Sequence, residues 1–145
     1  MKVVDIDTIC KKENVNTSVC ITLLKSKQGA DLLTLAQHTI DVLYIEVNNT
    51  IKLIKTLIHQ YDKDPEENPI TDNVLIFLAN RMGGDYGGIN EKVLSILTDY
   101  ECCINGASSS EIPYPDKSLL PKYAKVVDDV ASILFAISEF LIGNV

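Results

Sequence analysis

The sequence predicts an all-α fold, a single helical bundle, and three observations carry that prediction. Apolar residues recur every three or four positions over long stretches. Cap-forming Ser, Thr and Asp residues stand before those stretches, and Gly, Asn or Pro stand after them. With 145 residues and 46% hydrophobic content, the chain is long enough to bury roughly 70% of its unfolded surface as one domain. Residues 1–145 therefore read as one unit, with no internal repeat or linker, and about five or six helices in one domain make a bundle.

The first sixteen residues are the least regular. Val4, Ile6 and Thr8 alternate weakly, as in a short strand or an irregular arm, before the polar break Lys11-Lys12-Glu13-Asn14. Thr17 or Ser18 can cap a first helix with Val19, Cys20, Leu23 and Leu24 on one face and Gly29 as its stop; the β-branched content of Val19 to Thr22 leaves a strand as the competing reading. Asp31 can cap a longer helix, with a stripe running from Leu32 and Leu35 through Ile40, Leu43, Val47 and Ile51 to Ile58. Asn48-Asn49 is the place where that helix would bend or split. The segment from Asp62 to Pro69 reads as a loop, and Thr71 or Asp72 caps a helix carrying Val74, Leu75, Phe77, Leu78 and Met82.

Gly83-Gly84-Asp85-Tyr86-Gly87-Gly88-Ile89 is a hinge. Its glycines reach positive φ without steric cost and let a second backbone approach closely. Asp85 can cap the helix that follows, which carries Ile89, Val93, Ile96, Leu97 and Tyr100 and ends at Asn105-Gly106. Ala107 to Pro115 is a loop. Ser118 caps a last helix in which Pro121 is tolerated at the opening turn, and residues from Val126 and Val127 to Phe140 and Leu141 form a broad apolar face.

Composition narrows the function classes. A net charge of -7, with 20 acidic against 13 basic residues, opposes nucleic-acid binding. No apolar run approaches the ~18 residues of a membrane span. The opening Met1-Lys2-Val3-Val4, followed at once by Asp5 and Asp7, does not resemble a secretory leader. The four cysteines, Cys10, Cys20, Cys102 and Cys103, are therefore expected in a reducing intracellular compartment. His38 and His59 lack a carboxylate at metal-ligand spacing, and Cys102-Cys103 is not a Cys-x-x-Cys pair. No phosphate loop, nucleophile elbow or His-Glu-x-x-His occurs, so the expectation is a binding protein rather than an enzyme, with no cofactor and no metal.

Asp85-Tyr86-Gly87-Gly88-Ile89 resembles the Asn-Trp-Gly-Arg motif, followed by a branched apolar residue, of the Bcl-2 family of apoptosis regulators. Asp stands for Asn at the cap, Tyr for Trp, and Gly and Ile are kept. Asp41, within Leu35 to Leu43, lies where the family's third homology motif carries its Asp. The resemblance implies a Bcl-2-like bundle with a central apolar helix after the hinge and a surface groove. Leu43, Val47 and Ile51 from one helix and Leu75 and Leu78 from the next would line that groove. Asp85, Tyr86, Gly87, Gly88, Ile89 and Val93 would belong to the same groove, with the Tyr86 ring closing one end of it. Gly88 replaces the Arg that pairs with the ligand's Asp; losing one partner of such a pair costs about 2 to 5 kcal/mol, and Lys92 or Arg81 is the nearest replacement cation.

The implied function is inhibition of apoptosis by sequestering amphipathic pro-death helices of the Bim, Bak or Bax type, whose anchors at i, i+3/i+4 and i+7 fill the groove. As a short, tailless chain it most resembles the family's viral survival proteins. That places it in the host cell cytosol, peripheral at mitochondria, without a stable membrane span. The alternative is the same fold serving as an interaction scaffold or homodimer in innate immune signalling. Adjacent Cys102 and Cys103 offer one route to a linked dimer.

Overall fold

The computed structural model describes residues 3–60, 91, 93–95, 98 and 119–143. All regular structure among them is helical: α1 (Ile6–Cys10), α2 (Thr17–Leu24) with a 3-10 turn at Lys25–Lys27, α3 (Leu32–Gln60) and α4 (Leu120–Ile142). Glu91, Val93 to Ser95 and Thr98 are also helical. The hinge at 83–89, the expected loops and the expected helix from Thr71 lie outside the described residues.

Residues 3–16 are neither strand nor loose arm. Ile6 and Ile9 point into the core from α1, and Asn14 takes a left-handed conformation (φ 65°) that turns the chain back. Asn16, not Thr17 or Ser18, caps α2: its Oδ1 accepts from the Val19 amide at 3.4 Å. The Thr17 hydroxyl donates to the Cys10 carbonyl at 3.1 Å, tying the end of α1 to the start of α2. A disulfide then joins Cys10 to Cys20 with Cα atoms 5.5 Å apart. This corrects the expectation of unpaired thiols. Both cysteines are wholly buried, so the hairpin contributes its covalent staple to the core itself.

Gly29 (φ 81°) separates the 3-10 turn from α3. Asp31 caps α3 as expected, its carboxylate accepting from the Thr34 amide at 2.9 Å. The helix runs unbroken through Asn48-Asn49. The Asn48 amide donates back to the Tyr44 carbonyl at 2.9 Å, so it reinforces the helix locally instead of competing with it. Leu43, Val47 and Thr50 are buried on either side of the pair and hold the backbone in place.

Helix α4 begins with Pro121 in its first turn, where the missing amide proton has no intrahelical partner to lose. It ends at Gly143, whose φ of 79° suits a residue without Cβ and whose amide donates to the Glu139 carbonyl. Val127, Val130, Ala131, Ile133, Leu134, Ala136, Ile137 and Phe140 are buried, as are Asp129 and Ser138. Such a pattern wraps most of the helix surface, so α4 occupies the middle of the described bundle. It packs along α3 and also meets α1 and α2. The expected central helix after the hinge is described at too few residues to compare, although Val93 on it is wholly buried.

The buried polar groups of this core are paired within it. The Ser138 hydroxyl donates to the Phe135 carbonyl at 2.7 Å, and Thr39 does the same to Leu35 at 2.8 Å. No buried side-chain nitrogen or oxygen among the described residues lacks a partner.

Candidate functional site

A groove of about 420 Å³ opens where α2, α3 and α4 meet. Its apolar lining comes from Val19 and Leu23 of α2, Val42 of α3, and Val126 and Val130 of α4; Ser18, Thr22, His38 and Glu46 supply its polar edge. Spacing explains the convergence. His38, Val42 and Glu46 follow at i, i+4 and i+8 on α3, Ser18, Val19, Thr22 and Leu23 share one side of α2, and Val126 and Val130 are one turn apart on α4. Val126 remains 37% exposed, and Ile45, next to the α3 row, is 55% exposed. Val126 thus leaves an apolar side chain in water at the mouth of the groove, which makes the opening a candidate docking surface.

The groove is braced at both ends by polar contacts. The His38 Nε2 lies 3.1 Å from the Leu23 carbonyl, linking α3 to α2. At the other end Asn16 donates to Asp129 Oδ2 at 3.4 Å, while Lys125 reaches Asp128 at 2.8 Å and Asp129 Oδ1 at 2.9 Å. Hydrogen bonds to Asp128, then to Asp129, raise the Lys125 pKa well above the ordinary lysine range, against partial desolvation. A raised lysine pKa contributes stability that is complete below the unfolded value near 10.5 and is lost as pH climbs through the folded one. Lys125→Met should therefore cost the same at pH 6 and pH 9 in denaturant titrations, with the deficit shrinking only above about pH 10.5. Because the Lys125 side chain is 54% exposed, solvent screening holds the loss to about 0.5 to 1 kcal/mol.

A second, more enclosed cleft of about 390 Å³ lies between the hairpin turn and α4, with Lys12, Asn14, Leu94, Phe135 and Glu139 among its walls. Lys12 sits 3.6 Å from Glu139 and 5.1 Å from the Phe140 ring centre, so its charge is already engaged within the fold. Among the described residues no cluster of three His, Cys, Asp or Glu side chains is placed to hold a metal ion. No described helix is long and apolar enough to cross a membrane.

The residues singled out from the sequence fall differently. Leu43 and Val47 are 2% and 1% exposed and Val93 is wholly buried, so all three belong to the core cluster. Ile51 is half-buried against the same core. Leu75, Leu78, Asp85, Tyr86, Gly87, Gly88, Ile89 and Lys92 lie outside the described residues, as do Arg81, Cys102 and Cys103. Asp41 is an exposed position on α3. The groove residues Val42 and Val126 carried one available signal: α3 and α4 have more apolar positions than a single buried stripe requires.

No family model matches the chain, and no curated protein matches it. Among solved structures, it is similar to the crystal structure of a mutant form, form A, of a pectin methylesterase inhibitor from Arabidopsis. The TM-score is 0.71 at 22% identity, covering 92% of this chain and 95% of that one. At that level of identity the likeness establishes the fold: an all-α bundle of the kind that inhibitor adopts.

Proposed function

We infer that the chain is a non-catalytic protein inhibitor whose target is a pectin methylesterase or a related carbohydrate-modifying enzyme. The observation that carries this reading is a likeness of fold running over nearly the whole length of both chains. Two further features support it. The buried Cys10–Cys20 disulfide suits an oxidising, secretory or extracellular setting, and the net charge of -7 favours association with a basic partner. On this reading the mechanism is occlusion: a rigid helical surface, anchored by side chains such as Val42 and Val126, docks on the enzyme and denies substrate its cleft. Nothing is turned over.

Titration calorimetry with a purified plant pectin methylesterase tests this. One-to-one binding is expected, and Val126→Glu should weaken it about 30-fold or more, since an unpaired charge buried at an interface costs upwards of ~2 kcal/mol. Circular dichroism should show the variant folded, because position 126 is exposed in the free chain. Equal affinity for variant and parent would remove the groove from the interface.

A second reading is sequestration of a Bim-type amphipathic helix, favoured by the presence of an apolar groove between helices. Its lining differs from the one the resemblance implies. Saturable micromolar binding of such a peptide would support it, and silence with every death-ligand peptide would remove it, leaving the scaffold or homodimer alternative to be tested by the chain's mass in solution.

A further inference from the structure

Asn48-Asn49-Thr50 has the Asn-x-Ser/Thr pattern that accepts N-linked glycans. A second such tripeptide, Asn16-Thr17-Ser18, lies in the hairpin. The pattern is short and recurs by chance, so two structural observations decide its meaning here. The Cys10–Cys20 disulfide suits an oxidising compartment, and glycan transfer takes place in one. The position of Asn48 also suits a glycan: it is itself half-buried, and of its neighbours along the helix surface Asp41, Tyr44, Ile45 and Lys52 are exposed while Ile51 is half-buried. A bulky substituent there extends into solvent without displacing any described element.

Asn16 is placed less well. Its Oδ1 caps the Val19 amide and accepts from the Ser18 hydroxyl at 3.3 Å, and its Nδ2 donates to the buried Asp129. A sugar on that nitrogen would press against α4 beside the candidate docking groove.

We propose that Asn48 is an N-glycosylation site. In the transfer, Asn48 Nδ2 forms a bond to the anomeric carbon of a lipid-diphosphate-linked oligosaccharide; the bond from that carbon to the diphosphate oxygen breaks, the lipid diphosphate leaves, and the amide gives up one proton. The amide keeps its second N–H, enough for its bond to the Tyr44 carbonyl at 2.9 Å. In the folded chain Thr50 is only 5% exposed and its hydroxyl donates to the Glu46 carbonyl at 2.8 Å. Recognition of Thr50 therefore precedes folding, on the nascent chain, and the folded contacts of Asn16 bear on whether a glycan there is accommodated, not on whether that tripeptide is recognised. Once attached, the glycan covers Tyr44 and Lys52, on a side of α3 turned away from the His38, Val42 and Glu46 row that lines the groove.

This inference rests on the secretory setting assigned under the proposed function, and the experiment separates the two. The full chain is expressed in yeast behind a cleavable secretory leader, run on a denaturing gel before and after peptide-N-glycosidase treatment, and mapped by mass for the Cys10–Cys20 linkage. The expected result is one mobility shift in the parent, in Asn16→Gln and in Thr50→Ser, and none in Asn48→Gln or Thr50→Val. A parent with the disulfide formed but no shift, a shift lost in Asn16→Gln, or a shift in Asn48→Gln as large as the parent's overturns the site while leaving the setting intact. A secreted parent with Cys10 and Cys20 unpaired overturns the setting and the site with it.

Discussion

Leu134→Ala is expected to cost about 3 to 5 kcal/mol of stability. Leu134 is wholly buried near the middle of α4, between Ile133 and Ile137 in sequence, which are equally buried. Removing its isobutyl group forfeits the transfer energy of the lost carbons. It also leaves a void that neighbours on several helices cannot collapse together to fill. Set against a total stability of about 5 to 15 kcal/mol for a domain of this size, that loss should bring the melting temperature down by roughly 10 to 16 °C. Val126→Ala on the same helix is the control. At a site 37% exposed, it should move stability by about 0.5 kcal/mol or less. Calorimetric melting of the two variants beside the parent would show the contrast; similar small losses in both would mean that α4 is not the enclosed helix described here.

The second large effect is expected from Cys10→Ser combined with Cys20→Ser. The disulfide closes a loop with a sequence separation of 10, for which the chain-entropy account gives about 2.7 kcal/mol. Two hydroxyls placed in wholly buried positions add a desolvation cost unless they find partners. The damage should concentrate in the hairpin, because Ile6, Ile9 and the Asn16 to Asp129 link reach α4 only while α1 and α2 are held together. Hydrogen exchange should therefore accelerate at α1 and α2 well before α3 and α4 lose protection. Uniform acceleration across all four helices would show that the hairpin is not a separable unit.

Much of this architecture was legible in the sequence, and the exceptions have physical causes. Asp31 and the long stripe from Leu32 announced α3, because a cap followed by a 3.6-residue period leaves few alternatives. Pro121 and the broad apolar face announced α4. The hairpin was hidden because α1 is a single short helical segment, too brief to show a period, and its stability comes from a covalent link and from Thr17 closing on Cys10. Asn48-Asn49 misled in the opposite direction, since tertiary packing around Val47 and Thr50 outweighs the weak helix propensity of asparagine.

The site was less legible than the fold. Leu43, Val47 and Val93 repeat with helical period whether they face a ligand or the interior, so sequence alone could not tell a groove wall from core. Val42 and Val126 become distinctive only when three helices bring them to one opening. Asp129 was not singled out at all, although it is buried and held by Asn16 from the other end of the chain.

The account turns on the chain acting as a stoichiometric protein inhibitor. Adding the oxidised full-length chain to a plant pectin methylesterase, with acid release from methyl-esterified pectin followed by continuous titration, measures that directly. The account predicts that activity falls to near zero at about one equivalent when the enzyme concentration exceeds the dissociation constant. Full activity retained at about 10 μM of the chain, which places any binding weaker than about -7 kcal/mol, would contradict it.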